Sequence, residues 1–231
     1  SIRQLAASPS ERHHAPDGIP ASVDGRTLDA ARYRRLRAHR DDGAAQPDST
    51  TFHVYFTAAM SSGTPSIGYA ATSENGVSKL PDNPSWSARS ELLDGDGTGF
   101  DASGVAHPSV IKDGATYVLY YAGLDSSGTA KIGRATAPAP SGPYTRGPSP
   151  VLDLGTASGF DATSVKDPVV VKAGAGDYRM LYTGVETLEG NRIERVGYAT
   201  SSDGISWTKR GVVAGPSLSA YASDESGVQA A

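Results

Sequence analysis

The decapeptide Gly159–Pro168, GFDATSVKDP, decides the reading of this chain, because a near copy, GFDASGVAHP, stands sixty residues earlier at Gly99–Pro108. The residues after each copy also recur. DYRMLYTGVETLEGNRIERVGYAT from Asp177 aligns with TYVLYYAGLDSSGTAKIGRAT from Thr116, and more loosely with TFHVYFTAAMSSGTPSIGYAAT from Thr51. A repeat of about 60 residues governs the whole fold and is weighed before any local assignment.

Each unit carries four strand signals. The first is a short apolar run after the decapeptide (SVIKDG, VVVKAG). The second mixes aromatic and aliphatic residues (YVLYYAG, YRMLYTG), and the third is KIGRAT, RVGYAT or SIGYAAT. The fourth is YTRGPSPVL or SWTKRGVV, the latter reached through a turn containing Asp203-Gly204. Four antiparallel strands per unit describe a propeller blade; a generic antiparallel sandwich is the competing reading. The chain is therefore expected to be all-β, of five-bladed β-propeller type but incomplete, with about three four-stranded blades. Their limits are about 48–93, 94–154 and 155–213, and a further unit opens at 214–231. Residues 1–47 do not match the repeat, and Leu28–Arg40, LDAARYRRLRAHR, predicts a short basic helix or a solvated arm.

Composition agrees with many short strands. The 231 residues include 27 Gly and 15 Pro, which punctuate the apolar runs too often for long helices. A formal charge of -4, with 20% of residues charged, points to neither nucleic acid nor an anionic membrane as partner. No cysteine is present, which removes disulfides, thiolate metal sites and cysteine nucleophiles from consideration. No apolar run reaches the roughly 18 to 20 residues of a membrane span, and the first residues lack a signal-peptide pattern. These features leave the compartment open between cytoplasm and exterior.

The alternation of strand direction places the decapeptides at one mouth, with the segments Gly123–Lys131 and Gly184–Glu194. Repetition of Asp101 and Asp161 in both GFDA copies argues that they serve the blade by accepting backbone N–H groups in its entering turn. Tyr121, Tyr182 and Phe56 share one second-strand place and are expected to pack between blades. Trp86 and Trp207 close outer hairpins.

Ser164–Gly184, SVKDPVVVKAGAGDYRMLYTG, and Arg195–Gly211, RVGYATSSDGISWTKRG, resemble blades of the five-bladed β-propeller glycosidases, the group of arabinanase, levansucrase, invertase and glycoside hydrolase families 43, 32 and 130. The resemblance covers Asp94–Ala231 well and Thr51–Leu93 less well. Sialidase blades fit worse, because SSDGISW lacks the spacer of the Asp-box between Asp203 and Gly204. WD repeats have a different signature and a shorter period.

The resemblance implies hydrolysis of a glycosidic bond in an oligo- or polysaccharide, with carboxyl groups on both sides of the scissile bond. Its Asp-Pro motif falls on Asp167, whose implied role is to tune the acid or stabilise the sugar-like cation. The implied glutamate acid falls near Ala230, so Glu225 and Glu186 become the candidate acids. The implied base lies on the first blade, where Asp41 and Asp42 stand. His107, at the place of Asp167 one unit earlier, is a candidate to bind a sugar hydroxyl or a metal, and Asp101 and Asp161 are candidates for sugar contact. No cofactor is expected, although a structural metal such as calcium at the funnel axis stays open. A non-catalytic carbohydrate-binding propeller and an inactive fragment are the alternatives to an enzyme.

Overall fold

The structure is a computed structural model, and it describes residues 22–23, 26–27, 36–40, 51–59, 64–71, 87 and 89–215. A two-residue hairpin comes first, β1 (Ser22–Val23) with β2 (Arg26–Thr27). Three antiparallel four-stranded sheets come after it. Sheet I holds β3 (Leu36–Arg40), β4 (Phe52–Ala59), β5 (Pro65–Ala71) and β6 (Ser90–Leu93). Sheet II holds β7 (Gly104–Asp113), β8 (Thr116–Leu124), β9 (Ala130–Ala137) and β10 (Thr145–Arg146). Sheet III holds β11 (Ser164–Gly174), β12 (Asp177–Leu188), β13 (Asn191–Ser201) and β14 (Thr208–Ala214). Each sheet is a simple meander, so every strand pairs with its neighbour in sequence. Helix among the described residues is confined to one 3-10 turn, Gly99–Asp101. The architecture is all-β, three blades of a propeller.

Sheet II lies between the other two, and this explains the unbroken apolar run of β8. Leu119 and Tyr121 face sheet I, packing with Tyr55, Ile67 and Leu93, whereas Val118 and Tyr120 face sheet III, packing with Val165, Val170, Met180 and Tyr182. A strand covered on both faces has no polar side to present. Each fully buried residue of this size contributes about 1.5–3 kcal/mol of transfer free energy. In β12 the pattern differs: Met180 and Tyr182 are sealed against sheet II, but Leu181 is exposed on the opposite face.

The first strands of the sheets lie side by side. β7 packs against both β4 and β11. The buried Val170 N–H donates to Ser109 Oγ at 3.0 Å, bonding the inner strand of sheet III directly to that of sheet II. On the far side, Tyr120 Oη donates to the Gly204 carbonyl at 2.8 Å, and Trp207 packs edge-on against the Tyr120 ring.

One expectation is corrected in sheet I. Its inner strand is β3, the end of the segment expected to be a short basic helix or a solvated arm. Leu36–Arg40 pairs residue by residue with β4, from Leu36 opposite Phe56 to Arg40 opposite Phe52. An available sheet edge satisfies the backbone of those residues, and such tertiary pairing overrides helix propensity differences of a few tenths of a kcal/mol per residue. Residues 41–50, with Asp41 and Asp42, lie outside the described residues, as does Trp86.

A candidate active site at the start of the inner strands

The decapeptides do not merely lead into the inner strands; they form the beginnings of them. β7 starts at Gly104 and β11 at Ser164, and each is bonded to the end of its second strand. Ser103 N–H donates to the Leu124 carbonyl at 2.8 Å, and Thr163 N–H to the Val185 carbonyl at 2.9 Å. The β8–β9 and β12–β13 connections therefore sit at the same end as the decapeptides, as strand alternation requires.

Each inner strand is then interrupted at the same place. The register skips between Ala106 and Ser109 in β7, and between Lys166 and Val169 in β11, a bulge in both cases. The bulged residues are His107 and Asp167, with φ of 53° and 51°. Neither is glycine and both precede proline, so steric hindrance disfavours the ordinary right-handed alternative. Holding such a residue in the left-handed region costs on the order of 1–3 kcal/mol and concentrates at functional sites. In sheet I the same register position, opposite Phe56, belongs to Leu36.

The two bulges aim their side chains at each other. His107 Nδ1 lies 2.9 Å from Asp167 Oδ1, joining adjacent inner strands. Asp167 is sealed, with its side chain 1% exposed, whereas the imidazole is 23% exposed. The His107 N–H donates to Thr57 Oγ1 of β4 at 2.8 Å, so all three sheets meet here. Behind the carboxylate, Lys166 Nζ stands 3.7 Å from Asp167 Oδ2 and 3.0 Å from Glu194 Oε1, and Glu194 also accepts from Arg192 at 2.7 Å. The arrangement is a line of alternating charge, with one imidazole at its open end.

The other sequence candidates are placed differently. Glu186, on β12, is in ion-pair contact with the buried Arg195 guanidinium of β13. Glu225 lies outside the described residues. Asp101 and Asp161 are buried below their bulges, each bound to its own blade. Asp101 Oδ2 accepts from Tyr121 at 2.9 Å with Arg146 Nε at 3.3 Å; Asp161 Oδ2 accepts from Tyr182 at 2.9 Å and from Lys209 at 2.6 Å. Burial pushes the Asp101 carboxyl above its ordinary range, against the pull of Tyr121 and Arg146. Among the described residues, no group of three or more His, Asp or Glu side chains is placed to hold a metal ion.

Sequence reasoning missed Lys166, Glu194, Thr57 and the cations Arg146 and Lys209. Lys166 was legible as the residue before the Asp-Pro pair, where the resembling motif has an arginine. Glu194 and Arg195 were legible only once β13 was known to be a strand, since adjacent residues then point to opposite faces.

No protein-family model and no curated protein sequence matches the chain. Solved structures do. A family 117 glycoside hydrolase of the marine bacterium Zobellia galactanivorans is 17% identical, with a TM-score of 0.55, the match covering 79% of this chain and 62% of that one. An endo-1,4-beta-xylanase of Bacteroides thetaiotaomicron is 16% identical, with a TM-score of 0.58, covering 82% of this chain and 62% of that one. A thermostable family-43 glycoside hydrolase is 16% identical, with a TM-score of 0.53, covering 75% and 52%. This chain thus spans less than two thirds of the length of each. The likeness at these identities is one of architecture, and the three sheets have the fold of the propeller glycosidase superfamily.

Proposed function

We propose that this chain hydrolyses a glycosidic bond of an oligo- or polysaccharide at the start of its inner strands. The observation that carries the reading is the contact of a sealed carboxylate, Asp167, with a partly open imidazole, His107, at equivalent strained bulges of adjacent sheets. Positive φ at a non-glycine residue, repeated at one position of two repeats, is the kind of backbone strain that concentrates at functional sites. The fold supports the substrate class, since the structures it resembles are glycoside hydrolases.

In this reading the imidazole of His107 is the side chain of the pair that meets the sugar, and the sealed Asp167 carboxylate acts through it, its negative charge tuning the proton donor as the bond breaks. Glu186 and Glu225 are the carboxyl groups that sequence offers as its partner at the same mouth. Asp101 and Asp161 serve the blade, each holding a second-strand tyrosine to a fourth-strand cation. The engagement of Glu186 by Arg195 favours a second reading, a carbohydrate-binding propeller without turnover.

Product release from a panel of defined oligosaccharides, run beside an array of the same sugars, separates the two. The hydrolase reading predicts new reducing ends from at least one member of the panel. Array binding with no product from any bound sugar would contradict it and select the binding module.

A further inference from the structure

The contact between His107 and Asp167 engages Nδ1 of the imidazole, which leaves Nε2 as the nitrogen available to a ligand. Of the two side chains only the imidazole has a surface open to one. Its orientation is fixed from several directions: the bulge holds φ at 53°, Pro108 comes next in the chain, Thr57 Oγ1 takes the main-chain N–H, and Asp167 holds Nδ1. Asp167 is braced in turn by Lys166, whose ammonium is held by Glu194. A carboxylate this close to one ring nitrogen favours a proton on that nitrogen and leaves the other to a ligand, which is the part a carboxylate plays beside histidine in acid–base sites. Glu186, the described glutamate offered for proton transfer, is instead committed to Arg195.

We propose that His107 is the proton-transfer residue of the glycoside hydrolysis put forward above, with Asp167 as the positioning residue that fixes its tautomer; the proposal rests on that reading. The imidazolium gives its Nε2 proton to the glycosidic oxygen as the bond to the anomeric carbon breaks. Both electrons of that bond leave with the oxygen, which departs as an alcohol. Water adds its oxygen to the anomeric carbon and returns one proton to Nε2. One water is consumed, one glycosidic bond is hydrolysed, and the imidazolium is restored.

The test compares phenyl and 2,4-dinitrophenyl glycosides of whichever sugar the wild-type chain turns over. A dinitrophenolate leaves without protonation, so loss of the proton donor is felt only by the phenyl substrate. His107→Gln is expected to lower kcat/KM for the phenyl glycoside by about a hundredfold or more, and for the dinitrophenyl glycoside by less than about tenfold. His107→Asn, whose side chain tolerates the left-handed region, is the second variant should the glutamine fail to fold. In the wild-type chain, nitrogen-15 spectra of the neutral His107 ring are expected to place its proton on Nδ1, and Asp167→Asn to abolish that preference. Equal losses on both substrates, no loss on either, or a neutral ring protonated on Nε2 would overturn the role of His107 and leave the hydrolase reading standing. Failure of the wild-type chain to turn over any glycoside in the set would overturn both.

Discussion

Side chains with local partners are governed here by the turn they stabilise. Asp203 Oδ1 accepts from the Ile205 N–H at 2.8 Å, the Ser206 N–H at 2.7 Å and Ser201 Oγ at 2.9 Å. These donors favour the charged form and hold the carboxyl down, from an ordinary value of 3.8 to about 2. A depressed folded value means stability that is present above about pH 4 and is lost as pH falls through the window towards 2. Asp203→Ala should therefore unfold at lower denaturant than the wild type at neutral pH, with the gap closing between pH 4 and 2. Urea midpoints across that range check it, and a gap independent of pH would refute the linkage. The turn itself was legible from Asp203-Gly204, because its hydrogen bonds reach only two or three residues along the chain. His107 and Asp167 stand at the other extreme. Their shared place in the repeat was legible, but their contact was not, since it joins residues sixty apart through bulges that no local pattern announces.

At the scale of the element, the repeat is a mechanical unit whose parts fit one another. Phe160 packs beside Tyr182, and Tyr182 donates to Asp161; Phe100, Tyr121 and Asp101 form the same set. Two glycines make room for it in each of these two blades, Gly123 and Gly133 in sheet II and Gly184 and Gly197 in sheet III. A Cβ on Gly184 would stand 2.5 Å from the Phe160 ring, and one on Gly197 would stand 2.5 Å from the Tyr182 ring. Gly197→Ala should accordingly cost about 1–3 kcal/mol through overpacking. Tyr182→Phe should cost about 1.5–3 kcal/mol, because it removes a buried bond to a carboxylate that Lys209 then holds alone. Denaturant unfolding measures both, and changes below about 0.5 kcal/mol would show that the set does not lock the blade. In sheet I, Phe56 stands in the tyrosine's place, over Gly68, and has no hydroxyl to give. That difference explains why the first unit matches its siblings loosely. The GFD repetition announced a structural role, and tyrosine and fourth-strand cations, partners some twenty to fifty residues away, carry much of it. Leu36–Arg40, the end of the stretch expected to be a short basic helix or a solvated arm, is a strand for a related reason: a nearby strand edge is invisible to local propensity.

At the scale of the whole molecule, the order of sheets was legible because β8 reads apolar on both faces and β12 on only one. Ile111 and Tyr120 of sheet II are buried against sheet III, while Val171 and Leu181, at the corresponding places of sheet III, are exposed. The stacking of sheets by their inner strands is what brings His107 to Asp167. The bonds Val170 to Ser109 and His107 to Thr57 set that stacking at the level of single hydrogen bonds. The proposed activity therefore falls at a junction between blades, and its two chemical groups come from one motif written twice with different endings. The most direct test is product release from the oligosaccharide panel by Asp167→Asn beside the wild type, with circular dichroism confirming that both are folded. The account predicts a loss of turnover of at least about a hundredfold in a chain that keeps its β spectrum. Wild-type turnover matched by the folded variant would contradict it.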